Sequence, residues 1–294
     1  MEMREIAPGK RFHEALRPIG VGDALPFRVR YENVHLVEID GGRHQVTAHE
    51  HPHYEVIVVL AGLYHCRVNG FAATLGTGAI AILKPGDVHE DTGSDDVRFA
   101  AVHFQVLPGP TPERSANIFV DDIGPGTQQI AAPNAAFAPL AERLLAEAER
   151  IDPFTGHLLD ALAAELVWAI LRAVPRAVVN PRLLAGAEEH ELGGRLTRLF
   201  AAHVSGNLGL HEMADALGMH QRTLSARCRS AFATSPTRMF VRFKMARAQT
   251  LLVQTDLPIK EISEHLGFEN PYHFSTVFKR VHGVSPTQAR AARG

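Results

Sequence analysis

Leu210-His-Glu-Met-Ala-Asp-Ala-Leu217-Gly218-Met219 and Ile259-Lys-Glu-Ile-Ser-Glu-His-Leu266-Gly267-Phe268 are two versions of one pattern. Each places apolar residues at i, i+3 and i+7 of a short helix. Each ends in Leu-Gly, where glycine accepts the left-handed backbone that stops a helix. A second helix follows both. Leu224-Ser225 leads to Ser235-Pro236, and Phe274-Ser275 leads to Ser285-Pro286, with the same spacing of 11 residues. A short helix, a glycine turn and a second helix make a helix-turn-helix, so the chain is expected to end in an all-helical domain with two of them.

The second helices carry the chemistry. In the first, Leu224, Cys228 and Phe232 face inward and Gln221, Arg222, Ser225 and Arg229 face out. In the other, Asn270 can cap the N-terminus and Pro271 fits the first helical position. Phe274, Phe278 and Val281 form the expected buried stripe, while Tyr272, Ser275, Thr276 and Lys279 share another face. Arginine can chelate guanine O6 and N7, glutamine can pair with adenine N6 and N7, and Ser or Thr can serve either. A solvated helix face would also be polar, so composition of the face needs a second argument.

Charge supplies it. The 294 residues sum to a formal charge of only −2. Residues 1–194 hold 16 Lys/Arg against 26 Asp/Glu, a net of −10, whereas residues 195–294 hold 14 against 6, a net of +8. A basic domain joined to an acidic one is the electrostatic footprint of a polyanion partner, here double-stranded DNA. With 46% hydrophobic and 21% charged residues, the chain is neither disordered nor collagen-like. No apolar run reaches the ~18–20 residues of a membrane span, so no membrane partner is expected. Met1–Lys10 lacks the apolar stretch of a signal peptide. Two cysteines far apart, Cys66 and Cys228, cannot build a disulfide framework. A reduced, cytoplasmic protein is expected.

The rest of the chain divides by period. Residues 25–107 read as short strands: Val34–Ile39, Val56–Leu60, Tyr64–Val68, Ala79–Leu83 and Arg98–Val106. Turn signals separate them, notably Asn69-Gly70 and Pro85-Gly86-Asp87, which suggests a sandwich or small barrel. Residues 108–174 are read as a Pro- and Gly-rich loop or arm (108–135) followed by helices at Phe137–Arg150 and Pro153–Ala173. In the second helix Leu158, Leu159, Leu162, Leu166, Val167, Ile170 and Leu171 make one wide apolar stripe that can serve the core, a sister subunit, or both. Residues 175–194 read as a linker, and 195–294 as the helical DNA-binding domain.

Seventeen histidines are an excess, and four positions share a pattern. His49-x-His51-x-x-x-Glu55 in extended backbone puts three side chains on one face, and a turn at Pro85-Gly86 can return His89 to them. Three imidazoles and one carboxylate suit Zn, Ni, Mn or Fe(II). His53, His65 and His103 add to a polar pocket.

Two resemblances follow from these motifs. Residues 195–293 resemble the AraC-type (arabinose regulator) family of transcription factors through the two Leu-Gly turns, the two Ser-Pro boundaries and Arg242-Phe-Lys-Met-Ala-Arg247-Ala248-Gln-Thr-Leu251-Leu252, which looks like the family's joining helix. That resemblance implies reading helices at 220–231 and 271–282 entering successive major grooves, ~34 Å apart. Gln221, Arg222, Ser225, Tyr272, Ser275 and Thr276 are then the implied base readers, with Asn270 beside them, and Arg229, Lys279 and Arg280 the implied phosphate contacts. Three positions depart from the pattern. His220 stands where the family opens with Ser or Thr, Ala226 where many relatives carry Arg, and Ala233 where the second copy has Gly283. Residues 25–107 are similar to the cupin superfamily, small β-barrels with a metal or ligand inside, with Lys84 where a Pro is common.

The expected architecture is therefore α+β and multidomain: an N-terminal cupin-like barrel with its arm (1–107), a helical middle and the helix-turn-helix pair. The expected function is a DNA-binding transcriptional regulator, homodimeric, answering a small-molecule effector and able to engage RNA polymerase. For the barrel three readings stay open: an effector site without metal, a divalent metal as sensor or bridge, and catalysis. The last corresponds to a metal-dependent cupin dioxygenase or isomerase fused to a helical domain. Residues 1–24 and 108–135 are candidate moving arms.

Overall fold

The computed structural model describes residues 4–7, 10–12, 27–41, 43–108, 117–120, 123–184 and 187–291. Two compact units divide the chain, residues 23–185 and residues 186–294 with 1–22. In 1–24, read as an arm, the described residues form an antiparallel hairpin of β1 (Arg4–Ala7) and β2 (Lys10–Phe12).

The first unit is built on β3 (Phe27–Glu38), β4 (Arg43–His49), β5 (Tyr54–Ala61), β6 (Leu63–Val68), β7 (Phe71–Gly76), β8 (Ile80–Leu83), β9 (His89–Asp95), β10 (Arg98–Pro108) and β11 (Gln129–Ile130). They form two antiparallel sheets, ordered β11-β8-β5-β10-β3 and β4-β9-β6-β7. Asn69 and Gly70 both take positive φ, 48° and 83°, as the tight β6–β7 hairpin requires. Gly62 turns β5 into β6 at φ 78°, where an added Cβ would stand 2.2 Å from the Asp96 carbonyl oxygen.

Strand β5 is buried on both faces, which explains its unbroken apolar run. Val56 and Val58 pack, with Ala100, Val102 and Phe104 of β10, under α1 (Phe137–Ala148) and α2 (Thr155–Ala173). Ile57 and Val59 turn the other way, into a core with Tyr64, Cys66 and Val68 of the second sheet. Helix α2 buries Leu159, Leu162, Ala163, Leu166, Val167 and Ile170. Leu158, expected in that stripe, is exposed.

Within 108–135, read as a loop or arm, the residues described are 108, 117–120 and 123–135. Where described, Ile118 and Phe119 are buried, Phe119 bridges Val179, and β11 extends the first sheet. The expected linker at 175–194 has structured flanks. Val174 and Val179 belong to the first unit's core, α3 (Pro181–Leu184) follows, and α4 (Ala187–Ala202) already opens the second unit.

The second unit continues through α5 (Leu210–Leu217), α6 (Gln221–Phe232), α7 (Pro236–Gln254), α8 (Ile259–His265), α9 (Pro271–His282) and α10 (Pro286–Ala291). One apolar core joins both helix-turn-helix units, with α7 between them. Because both units pack on it, α7 is buried around much of its circumference: Met239, Phe240, Phe243, Lys244, Met245, Ala248, Leu251 and Leu252. In α9 the buried set is Phe274, Val277 and Phe278; Val281, expected inside, is 38% exposed.

Candidate effector site and DNA-reading face

The histidine cluster follows from strand parity. On β5, Glu55 shares the face of Ile57 and Val59, which look into the space between the sheets. Its neighbour on β10 is His103, on the face of Phe99 and Ala101. His89 enters from β9 in the opposite sheet, and His51 and His53 from the loop before β5. Glu55, His89 and His103 are all buried.

Glu55 is the centre. Its Oε2 lies 2.8 Å from His51 Nε2 and 3.2 Å from His89 Nε2. His103 Nε2 stands 3.6 Å from Oε1, and His103 Nδ1 is 3.0 Å from His53 Nε2. Burial works to raise the Glu55 carboxyl, but the bond from His51 and the close imidazoles of His89 and His103 hold it well below the usual carboxylate range. Burial pushes His103 down to about 4, so this ring is neutral at pH 7. Burial also lowers His53, with the His51 charge adding to it. His89 resists its own burial, because Glu55 and the Asp87 carbonyl raise it.

Tautomers decide what the cluster can hold. Nδ1 of His49, His51 and His89 each lies 2.9 Å from a backbone carbonyl, of Thr47, His53 and Asp87 respectively. A carbonyl only accepts, so each Nδ1 carries the proton and a neutral ring presents the bare Nε2. With Nε2 protonated as well, His51 donates to Glu55 Oε2 at 2.8 Å; with that proton absent, the two nitrogens and the carboxylate oxygen form a donor set for a cation. His89 Nε2 is buried and makes no hydrogen bond, its approach to Glu55 being misaligned for one. Donor atoms of His51, Glu55 and His89 all lie within 4.8 Å of one another, as do those of His51, His53 and His103.

Other predicted members stand differently. His49 pairs with His89 across β4 and β9, rings 4.2 Å apart, on the exposed margin and outside both donor sets. His65 is not in the pocket: β6 turns Tyr64, Cys66 and Val68 inward, so His65 faces out, against Thr74 Oγ1 at 2.8 Å. Asp87, which the sequence reading passed over, is buried and holds the turn that presents His89. It accepts from the Lys84 backbone N–H and from Asn69 Nδ2, each at 2.8 Å, and from Gln128. Lys84 Nζ pairs with it at 3.1 Å, which accounts for a lysine where proline is common. The Pro85-Gly86-Asp87 turn was the available signal.

On the second unit, Gln221, Arg222 and Arg229 of α6 and Tyr272, Thr276, Lys279 and Arg280 of α9 are exposed, and Ser225 and Ser275 half-buried. Asn270 is engaged as a cap: its Oδ1 accepts from the Tyr272 backbone N–H at 2.8 Å. His220 caps α6 without a side-chain bond. Ser275 and Thr276 hydroxyls donate to their own helix, to Pro271 and Tyr272 carbonyls, each at 2.9 Å, leaving oxygen lone pairs outward. Among the described residues no carboxylate pairs with Arg222, Arg229, Lys279 or Arg280, whereas Arg227 reaches Glu188 at 3.4 Å. The exposed cations thus gather on the faces the sequence assigns to reading.

Comparison with known proteins agrees on both units. The model of an AraC-like ligand binding domain matches residues 35–167, and that of a helix-turn-helix domain matches residues 213–292. The chain belongs to the AraC family of transcriptional regulators. Within that family it is similar to the HTH-type transcriptional activator RhaS of Enterobacter sp. (strain 638), 25% identical over 258 residues, covering 83% of this chain and 87% of that protein. RhaS of Yersinia pestis (strain Pestoides F) is 24% identical over 250 residues, with 83% and 88% covered. Among solved structures, the C-terminal domain of AraT, a response regulator from Geobacillus stearothermophilus, is 34% identical over 34% of this chain and 83% of its own, with a TM-score of 0.32.

As an AraC-family member the protein is a DNA-binding transcriptional regulator with an N-terminal effector-binding domain, and its relatives are regulators rather than enzymes. The catalytic cupin reading is set aside on that ground. No helix among the described residues is long and apolar enough to cross a membrane.

Proposed function

We propose that this AraC-family regulator acts in the cytoplasm as a homodimer. In this reading Gln221, Arg222, Ser225, Tyr272, Ser275 and Thr276 read base edges, while Arg229, Lys279 and Arg280 meet phosphates. The observation that carries the reading is the gathering of unpaired cations on α6 and α9 within residues 195–294, whose net charge is +8. Gel-shift titration against the DNA upstream of the protein's own gene tests it. Native protein binds with an affinity that falls steeply as salt rises. Arg222→Ala with Tyr272→Ala removes the preference for that DNA over an unrelated duplex; unchanged preference would reject these residues as readers.

The effector site in this proposal is the Glu55 cluster, and a divalent metal is its first occupant. Support comes from the buried, unbonded His89 Nε2 and from the three Nδ1 atoms committed to carbonyls. His51, Glu55 and His89 would hold the ion, with His49 at the margin. When bound, the ion would supply an electrophilic point for a carboxylate or hydroxyl of a small effector. Metal analysis of protein purified without chelator is expected to give near one equivalent, and less than about 0.1 in His51→Ala/His89→Ala. Equal trace amounts in both would leave the cluster as a metal-free effector pocket.

The dimer reading rests on α2. Phe154, Leu158, Ala161 and Trp168 are exposed at alternating four-, three- and seven-residue intervals, the spacing of a helix-pairing seam. Leu158→Asp would halve the sedimenting mass if this face pairs subunits, and an unaltered mass would reject it. Engagement of RNA polymerase is part of the proposal for an activator and is tested by transcription in vitro with purified polymerase.

A further inference from the structure

Beside the reading faces lies an open cleft of about 450 Å³ lined by Thr237, Arg238, Val241 and Arg242 of α7 and Arg280 and Val281 of α9. No carboxylate lines it. Among the described residues, none of the three guanidinium groups has an ion-pair partner or a hydrogen-bond acceptor. Other basic side chains of the same unit are spent inside the protein. Arg195 donates to the Leu217 carbonyl, Arg290 to the Leu257 carbonyl, and Lys244 to the carbonyls of Gly206 and Leu266. Three like charges converging on an open space repel one another, an arrangement that a polyanion relieves.

Position narrows the anion. Helix α7 starts at Pro236, just past the last residue of α6, Phe232. Arg238 and Arg242 therefore follow the end of the first reading helix, and Arg280 sits in the last turn of the second. The cleft takes its walls from the connecting helix and from the reading helix of the second helix-turn-helix. Its floor is apolar: Val241 is half-buried and Val281 is 38% exposed, where the helical period alone would place Val281 in the core. Cationic walls over an apolar floor match a sugar-phosphate strand, with phosphates between guanidinium groups and deoxyribose on valine.

We infer that this cleft binds the DNA backbone between the two major-groove contacts, with Arg238 and Arg242 as phosphate ligands and Thr237 as an added donor. The inference rests on the DNA-binding reading above and assigns that reading a third point of contact. It makes the connecting helix a part of the interface rather than a spacer. Its contribution is independent of base sequence, because phosphate contacts position a protein without specifying a site.

The test uses the full chain and two duplexes, the upstream DNA and an unrelated one, titrated at several salt concentrations. Arg238→Ala/Arg242→Ala is compared with native protein, with Arg222→Ala, and with Arg143→Ala/Arg172→Ala, which removes two charges from the other unit. The cleft variant is expected to lower the slope of log K against log salt by roughly 1.5–2, about 0.9 per lost phosphate contact. It should weaken both duplexes by the same factor. Arg238→Lys/Arg242→Lys should keep most of the slope, which separates lost charge from lost fold. Arg222→Ala should instead reduce the preference between duplexes, and the control pair should leave the slope in place. A native slope in the cleft variant overturns the inference while native binding still upholds the DNA-binding reading. A native slope joined to lost transcription in vitro would also overturn it, and would give the cleft to an acidic protein segment.

Discussion

Lys244 Nζ donates to the Leu266 carbonyl oxygen at 2.8 Å, so the connecting helix closes the end of α8, the first helix of the second helix-turn-helix. The same ammonium reaches the Gly206 carbonyl at 2.6 Å and lies over the Phe240 and Phe268 rings at 4.8 and 5.4 Å. It is 4% exposed, and burial lowers its affinity for the proton. One lysine thereby ties the loop after α4, helix α7 and the second helix-turn-helix. Lys244→Met keeps much of the volume and strands two carbonyls. A loss of about 1–3 kcal/mol is expected in urea unfolding of the full chain. A change below about 0.5 kcal/mol would mean that the bonds contribute nothing net.

The two Leu-Gly turns look alike in sequence and differ in space. Gly218 has φ +65° with nothing near its missing side chain, whereas Gly267 has φ +70° and an added Cβ would stand 2.5 Å from the Ser205 carbonyl oxygen. Gly218→Ala meets only the left-handed backbone cost, about 1–2 kcal/mol. Gly267→Ala adds a clash with backbone and should cost at least twice as much in paired denaturation curves. Equal costs would show that the second turn does not pack on residues 205–206.

Ala233 closes α6 in the left-handed region at φ 52°, where α9 uses Gly283 at φ 79°. Ala233→Gly relieves that conformation at some cost in chain entropy, for a net gain of roughly 0.5–1 kcal/mol. Calorimetry of native and variant protein reads this directly, and a lower melting temperature would contradict it.

Asp87 supports the effector site from behind. Asp87→Ala leaves Lys84, Asn69 and Gln128 without their shared acceptor and frees the turn carrying His89. An expected loss of about 3 kcal/mol follows from unpairing the half-buried Lys84 together with the polar neighbours of Asp87. Metal or effector retention should fall with it, although the Asp87 carboxylate belongs to neither donor set and only its backbone carbonyl meets His89 Nδ1. Native retention in a folded Asp87→Ala protein would exclude this supporting role.

What the sequence revealed was whatever the local backbone demands. Leu217-Gly218 and Leu266-Gly267 are legible because a left-handed turn selects glycine, and Asn69-Gly70 for the same reason. Glu55 and His89 meet through strand parity and a Pro-Gly turn, whereas the extended strand expected over 49–55 is broken: β4 ends at His49, and His51 reaches Glu55 from the loop before β5. His65 was misassigned because parity holds only within a strand, and β6 points its even-numbered residues inward. Lys244 was invisible: its acceptors lie 22 and 38 residues away, and a lysine inside a helix reads as solvated. The division between the two units falls after residue 185, inside the stretch 175–194 expected as a linker, but its flanks are structured: Val179 lies in the first unit's core and Gly193 is buried within α4. Val281 was misplaced because the period allows either Val277 or Val281 to follow Phe274, and only packing selects Val277.

Chemical footprinting on the upstream DNA tests the central claim most directly, that both helix-turn-helix units of one chain read the duplex. Two protected major-groove segments are predicted per subunit, centred about one helical turn or ~10 base pairs apart on the same face. Arg222→Ala should expose one segment and Tyr272→Ala the other. A single protected segment, or two that respond together to either substitution, would contradict a two-helix reading.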